Sequence, residues 1–294
     1  MPAAELRPVE RSDFERLHPL LEQFDNNTLS RADWRRMLFE QRWKKAEDAF
    51  GFALWDKNRI VGYIGNLYSY PLVRGTPQRF CNLSSWIVES AYRSQTLTLL
   101  RKALLDTSVT YTALTCIRSS AAIFQRMGFR LLEDRIRIFH PLSAWPKHFW
   151  RKIEYSTTPD DFANRLGPPS QKILKSHLHT PASHLFFENR LGHCYLLLSR
   201  CRLRRFDVMH VHHISHPHVF WHSLGDVQHL ILRVYRAGFW MTDERHVGLR
   251  QSEWGISHVL SFPRLFRPAD ALRVNPRDIE ATFSELMYLQ PGKS

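Results

Sequence analysis

Cysteine is scarce in this 294-residue chain: Cys81, Cys116, Cys194 and Cys201 are the only four, and no two form a Cys-x-x-Cys pair. That usage excludes a disulfide scaffold and fits a cytoplasmic setting. Long apolar runs are missing too, and no stretch approaches the ~20 residues that a spanning helix needs. The opening residues are charged from Glu5 onward and lack an apolar signal core. Secretion and a membrane span are therefore not expected. Like charges do not gather into long blocks, although 41 Lys and Arg against 28 Asp and Glu leave a net charge of +13. The surplus admits anionic partners: nucleic acid, phosphorylated cofactors, acidic lipids or glycans. No helix-turn-helix, RNA-binding-sheet or zinc-finger signature accompanies it, so nucleic acid is not the expected partner.

What is present is globular. Apolar residues make up 44% of the chain and charged residues 23%, which excludes disorder over most of it. At about 100–200 residues per domain, two domains are expected, each able to bury a core without metal or disulfide staples.

The first half alternates element types. Glu5 to Pro8 reads as a strand. Asp13 reads as the cap of a helix carrying Phe14, Leu17, Leu20 and Leu21 on one face. Residues 29–46 give a second helical stretch. Phe52 to Trp55 and Ile60 to Tyr68 form a hairpin about the turn Asp56 to Arg59. Phe80 to Val88 is a strand, Thr96 to Leu105 a helix and Tyr111 to Cys116 a strand. Ser119 to Met127 is a Ser-capped helix stopped by Gly128, and Phe129 to Phe139 is a last strand. This order predicts a mixed α/β sheet. From His140 to about Pro169, prolines 141, 146, 159, 168 and 169 break the pattern, which reads as an interdomain connection with a short helix around Asp160 to Arg165.

The second half repeats the order at an offset near about 130 residues. Strands are expected over Cys194 to Ser199, Arg205 to Ile214 and Phe239 to Val247, with a helix over Leu224 to Ala237. The tail from Asp270 holds a short helix through Ile279, Phe283 and Leu286. Two copies of one fold are expected, over residues 1–144 and 145–294.

The first candidate site is the strand-to-helix junction Trp86-Ile87-Val88-Glu89 through Arg93-Ser94-Gln95-Thr96-Leu97-Thr98. Free amides at a helix start, together with its dipole, bind anions, and Arg93 adds a side-chain charge suited to phosphate. Ser and Thr there also serve simply as caps. The second candidate is the histidine cluster His210, His212, His213, His216, His218 and His222. If residues 208–214 are a strand, His210 and His212 share a face and His213 points away. No carboxylate or thiol spacing completes a zinc site, so polar cleft or surface histidines are the better reading and no metal is expected. Asp243-Glu-Arg-His246 is a further polar group after a strand. Trp34, Trp43, Trp145, Trp150 and Trp240 read as core or interface, and the basic run Arg200 to Arg205 as a solvated strand edge.

Residues Val88 to Leu100 resemble the acyl-CoA-binding segment of the GNAT acyltransferase superfamily, whose pattern Arg/Gln-x-x-Gly-x-Gly/Ala stands here as Arg93 to Thr98. Ser120-Ala-Ala-Ile-Phe-Gln-Arg-Met-Gly-Phe129 is similar to the family's Ala-x-x-x-Tyr-x-x-x-Gly-Phe ending. The opening Leu6-Arg7-Pro8 and the hairpin end Ile60-Val-Gly-Tyr-Ile64 also fit, so the resemblance spans residues 5–139. It implies an α/β fold of two N-acyltransferase-like domains, each a mixed, mostly antiparallel sheet flanked by helices, with the second copy divergent. It further implies acetyl-CoA or another acyl-CoA as substrate, with pyrophosphate on the amides of Ser94 to Thr98, pantetheine along Trp86, Ile87 and Val88, and an amine acceptor that is a small molecule or a peptide. The second domain would help shape the acceptor site.

Two departures stand out. Thr96 and Thr98 replace glycines that let the backbone approach a ligand. Phe124 replaces the tyrosine that often serves as the family's acid, and it has no proton to give. Ser119, Ser120, Cys116 and Tyr111 are the nearby substitutes, and Glu89 is a candidate base or simply a helix-start carboxylate. The expected function is acyl transfer from acyl-CoA to an amine. The alternatives are a degenerate binding module for an anionic ligand or partner protein, and a basic nucleic-acid binder whose affinity falls steeply with salt. Oligomeric state is not legible.

Overall fold

The computed structural model describes residues 3–24, 29–140, 153–203, 206–247, 255–269 and 274–288. In chain order the elements begin with β1 (Glu5–Pro8), α1 (Phe14–Leu21), α2 (Arg31–Phe39), β2 (Gly51–Asp56) and β3 (Arg59–Ser69). A small hairpin, β4 (Leu72–Val73) and β5 (Thr76–Pro77), precedes β6 (Phe80–Val88), α3 (Thr96–Ala103), β7 (Thr110–Ala113), α4 (Arg118–Arg126) and β8 (Arg130–Phe139). Then come β9 (Glu154–Ser156), α5 (Pro159–Phe162), α6 (Pro168–His177), β10 (Ser183–Asn189), β11 (Gly192–Leu203) and β12 (Phe206–Ile214). The chain continues through α7 (Pro217–His222), α8 (Leu224–Tyr235), β13 (Phe239–Asp243) and β14 (Ile256–Arg267).

The chain divides into two compact units. Unit 1 takes residues 1–132, 262–278 and 283–286, and unit 2 takes 133–261, 279–282 and 287–294. Within unit 1 the strand order is β1-β2-β3-β6-β7-β14, antiparallel except for the parallel pair β6/β7. Within unit 2 it is β8-β13-β12-β11-β10-β9, antiparallel except for the parallel pair β12/β13. Each is a mixed, mostly antiparallel sheet flanked by helices, as the sequence led us to expect. The sixth strand of unit 1 is the end of β14, drawn from far along the chain, and that of unit 2 is the end of β8, which directly follows the helices of unit 1.

Alternation fills the two cores. In unit 1, Leu54, Ile64, Cys81 and Tyr111 from the sheet meet Leu99, Leu100 and Ala103 of α3 and Phe124 of α4. Those α3 residues recur at the spacing that puts them on one helical face. In unit 2, Leu196, Leu198, Met209, Val211 and Trp240 meet Phe220 and Trp221 of α7 and Leu224, Val227 and Ile231 of α8. Trp240 stacks on Phe139 at 4.0 Å and donates its indole N–H to Gln228 Oε1 at 2.8 Å. That bond removes the cost of burying the ring nitrogen. At the head of β2, Gly51 holds φ +136°, and a Cβ there would meet the Ile64 carbonyl at 2.2 Å.

Several sequence expectations need correction. Asp13 stands at the N-cap of α1, as expected, but its side chain makes no cap bond to that helix: its carboxylate accepts the Glu10 N–H at 2.9 Å and closes a 3-10 turn, Arg11–Asp13. The second helical stretch stops at Phe39, because the Gln41 side chain turns back to the Met37 carbonyl and Trp43 packs edge-on against Phe283. The Ser cap of α4 is also overturned. Ala121 N–H donates to Ile117 O at 2.9 Å, so Ile117 is the cap and Ser119 lies in the first turn. The strand from Phe239 ends at Asp243 and gives way to a 3-10 turn, Glu244–His246, closed by Val247 N–H on Glu244 O. No helix runs through Ile279 and Phe283; among the described residues of the tail the helical pieces are two 3-10 turns, Pro276–Asp278 and Glu285–Met287. Strands β9, β10 and β14 and helix α6 were not expected. Pro141, Pro146, Trp145, Trp150, Arg204, Arg205, Asp270 and the 144/145 boundary lie outside the described residues.

Candidate active site

The parallel pair of unit 1 opens into a fork. β6 and β7 pair at Phe80↔Thr110, Cys81↔Tyr111 and Asn82↔Thr112, and there the ladder stops while β6 runs on to Val88. On its other edge β6 bulges. Between Gly65↔Ser84 and Tyr63↔Ile87, Ser85 and Trp86 face a single residue of β3, with Ser85 at φ +55°. A bulge bends its strand and disrupts the ladder, which suits a strand that leaves its neighbour. Beyond Asn82, the β6 edge facing β7 offers backbone groups to an extended ligand.

The residues singled out from sequence lie on the departing stretch of β6, in the turn after it, and in the first turns of α3 and α4. Trp86, Ile87 and Val88 are half-buried on the departing stretch of β6. Trp86 stands edge-on to Phe124 at 5.4 Å, and Phe124 edge-on to Phe129 at 5.0 Å. The Trp86 indole N–H is buried without an acceptor among the described residues. Glu89 donates its N–H to Val61 O at 2.9 Å, and its carboxylate accepts from Arg59 at 2.7 Å. The turn expected after Val88 is a 3-10 helix, Ser90–Gln95, closed by the Thr96 N–H on Arg93 O, and α3 starts at Thr96, so Ser94 and Gln95 precede its first turn. The Gln95 side chain is a brace for the chain start, exchanging hydrogen bonds with Ala4 N–H and Ala4 O at 3.0 and 2.9 Å. Arg93, Ser94, Leu97 and Thr98 are exposed, and Thr96 is half-buried. Ser119 is exposed and Ser120 half-buried in the first turn of α4. Burial pushes the Cys116 thiol up to about 12, so it is a neutral thiol at pH 7.

A residue that sequence reasoning missed occupies the root of the fork. Glu285 is 1% exposed. Its Oε2 accepts from Asn82 Nδ2, and its Oε1 accepts from Thr115 Oγ1 at 2.5 Å. Thr112 Oγ1 in turn donates to Asn82 Oδ1 at 3.0 Å. Burial raises the Glu285 carboxyl above its ordinary value, against the lowering by these donors and by nearby Arg264. A buried carboxyl whose protonation is shifted upward is suited to taking a proton. The available signal was Asn82 itself, a polar residue within the otherwise apolar strand Phe80 to Leu83. Nothing near Glu285 in the sequence marks it.

Unit 2 has its own fork. β12 and β13 pair from Val208↔Phe239 to Val211↔Thr242 and then part. A bulge against β11 follows at once, because Leu198 faces Val211 while Leu197 faces His213, leaving His212 extra. The bulge overturns the expectation that His213 points away. Val211 packs into the core with Leu198, and His213, opposite Leu197, lies on the other face with His210 and His212. The His210 and His212 rings lie 4.0 Å apart. His212 Nε2 meets Ser199 Oγ at 2.8 Å, and His210 Nε2 lies 3.5 Å from Asp243 Oδ1. His213 spans Ser170 Oγ at 3.2 Å and Glu280 Oε1 at 3.3 Å. His216 sits beside Ser215, and His218 and His222 pair on α7, with His222 Nδ1 at 2.8 Å from His218 O. Among the described residues no three His, Cys, Asp or Glu side chains gather to hold a metal ion.

No protein-family model and no curated protein sequence matches the chain. Solved structures do. A GCN5-related N-acetyltransferase from Kribbella flavida aligns over 91% of this chain and 71% of its own, at 13% identity and TM-score 0.60. A probable N-acyltransferase from Enterococcus faecalis aligns over 92% and 73%, at 9% identity and TM-score 0.64. The N-myristoyltransferase of Saccharomyces cerevisiae, solved with bound myristoyl-CoA, aligns over 91% and 83%, at 9% identity and TM-score 0.51. The chain has the GNAT fold. At these identities the likeness is one of fold. Among the described residues no helix is long and apolar enough to cross a membrane.

Proposed function

We propose that the chain transfers an acyl group, most simply acetyl, from an acyl-CoA to the amine of a small molecule or peptide, at the fork of unit 1. The observation that carries this reading is Glu285, a buried carboxylate held by Asn82 and Thr115 where β6 and β7 separate. The departing β6 edge from Trp86 to Val88 would pair with the pantetheine arm. Arg93 and the hydroxyls of Ser94, Thr96 and Thr98 would meet the pyrophosphate. The amine nitrogen attacks the thioester carbonyl and its proton passes to Glu285. The C–S bond then breaks, and the thiolate takes a proton from water, since Phe124 has none to give. Glu89, with its carboxylate on Arg59, is the alternative base, and Ser119 and Ser120 are the alternative proton donors. In this proposal residues 1–144 and 145–294 are two copies of one fold that exchange their last strands, and the four free cysteines fit the cytoplasm.

A second reading, a binding module without catalysis, is favoured by Phe124, which is buried between Trp86 and Phe129 where a proton donor would help. Two measurements separate them. Thermal unfolding with acetyl-CoA, longer acyl-CoAs and ADP reports binding and ranks the acyl chain. Thiol release with a panel of amines reports transfer. Glu285→Gln should leave the acyl-CoA shift in place and slow transfer about 10²-fold or more. Binding without thiol release for any amine supports the module, and an unchanged rate in E285Q removes Glu285 as the base.

A further inference from the structure

The fork of unit 2 holds an arrangement that the proposed amine acylation does not use. His213 stands between a hydroxyl and a carboxylate, with Nε2 3.2 Å from Ser170 Oγ and Nδ1 3.3 Å from Glu280 Oε1. We propose that Ser170, His213 and Glu280 form a second reactive site, in which Ser170 is a nucleophile, His213 its base and Glu280 the group that orients the imidazole, acting on short acyl esters.

Three independent features place these groups for that chemistry. The β12 bulge turns His213 toward α6 rather than into the unit 2 core. Burial pushes the Glu280 carboxyl up, but His213, with His246 and Arg245 nearby, outweighs it and holds the group below its ordinary value. Glu280 is therefore ionised at neutral pH, as a partner that steadies an imidazolium must be. Ser170 is the third residue of α6, behind Pro168 and Pro169, so its own N–H is the first amide of that ten-residue helix. That amide has no acceptor within the helix and lies at the positive end of the dipole, where it favours charge developing beside Oγ. Ser170 and His213 are 8% and 9% exposed, which restricts the site to compact acyl groups.

In the reaction, Ser170 Oγ bonds to the ester carbonyl carbon while its proton passes to His213 Nε2. The alcohol leaves with that proton, giving an acyl-serine. Water, deprotonated by His213, then releases the acid and restores Ser170.

The test treats the full-length protein with a small alkyl fluorophosphonate, followed by intact mass and peptide mapping, with p-nitrophenyl acetate as the turnover probe. One adduct on Ser170 is expected. It should vanish in Ser170→Ala, form about 10²-fold more slowly in His213→Gln, and be delayed by prior p-nitrophenyl acetate. An unlabelled Ser170 in the folded wild-type protein, or an equal labelling rate in H213Q of unchanged melting temperature, overturns the proposal. If H213Q does not fold, Glu280→Gln supplies the comparison, and a rate equal to wild type is the overturning result. None of these outcomes bears on Glu285.

Discussion

The two units share a backbone device and fill it differently. In each, six strands run in the same order, one pair is parallel, that pair forks, and the strand ahead of the fork bulges. In unit 1 the bulge falls well past the last β6–β7 pair, at Ser85 and Trp86, and the root of the fork holds Asn82, Thr112 and one carboxylate, Glu285. In unit 2 it falls immediately after the last β12–β13 pair and swings His213 onto the face of His210 and His212. The position of one extra residue in a strand thus decides which side chains meet in a fork. Unit 1 keeps a buried carboxylate held by an amide and a hydroxyl, whereas unit 2 gains a chain of hydroxyl, imidazole and carboxylate.

The hardest blow to the comparison would be to remove a sixth strand. Leu265 of β14 is fully buried in the unit 1 core opposite Ala113, and Arg267 lies over the Tyr111 ring at 4.9 Å. A fragment of residues 1–144 lacks both, exposes the β7 edge and leaves an apolar gap. It should show no cooperative thermal transition, and co-expression with residues 145–294 should restore one. A fragment that melts cooperatively alone would show that β14 is dispensable to unit 1. Next in size, Trp240→Ala should cost unit 2 about 3–5 kcal/mol in urea unfolding, since it removes a fully buried ring, its stack on Phe139 and its bond to Gln228. Trp86→Ala in unit 1 removes a half-buried ring whose N–H has no acceptor among the described residues, and should cost clearly less.

Acid should separate the units further. Burial holds His177 and His184 of unit 2 below the ordinary histidine value, His184 at about 4. A lowered histidine favours the neutral ring in the folded state, so its stabilisation is present above the unfolded value and is lost as pH falls. From pH 7 to 5, His184 alone should weaken unit 2 by on the order of 2 kcal/mol. Glu280, also lowered, loses its contribution in the same direction as pH falls through its folded value. In unit 1 the raised Glu285 works oppositely, stabilising at low pH and costing stability as pH rises through its folded value. Amide exchange corrected for intrinsic rates should show β11 and β12 losing protection at pH 5 while β3 and β6 keep theirs. Equal losses would mean that the units do not differ in this way.

Much of this was legible in the chain because local rules governed it. Strand β6 falls where alternation placed it, α3 begins at the expected Thr96, and Gly128 ends α4 at φ +87°. What was illegible depends on distant partners. β14 is largely exposed over its first half, with Ile256 at 70%, so no buried alternation announces it until Arg264 to Phe266. The tail residues Ile279, Phe283 and Leu286 are buried at a helix-like spacing but divide between the units, which imitates an amphipathic period without a helix. Glu285 reads as an ordinary surface glutamate until Asn82 and Thr115 are brought to it. The side His213 faces depends on a register shift that only the β11 pairing reveals.

The finest comparison asks which fork holds the donor. Arg93 is exposed in the turn after β6, and His218 follows β12 at the start of α7. Both are surface side chains, so Arg93→Ala and His218→Ala should each leave stability within about 0.5 kcal/mol. If unit 1 binds the pyrophosphate, R93A removes one charge-assisted contact worth about 1.5–3 kcal/mol, weakening acyl-CoA binding roughly tenfold or more. H218A should then change nothing. The reverse pattern would move the donor to unit 2, beside the Ser170 chain, and would leave Glu285 without a thioester to serve. If neither variant responds while acyl-CoA still binds, the phosphates rest on backbone amides alone, and Thr96→Gly and Thr98→Gly become the informative pair, since a glycine lets the backbone approach a ligand more closely than a β-branched residue does.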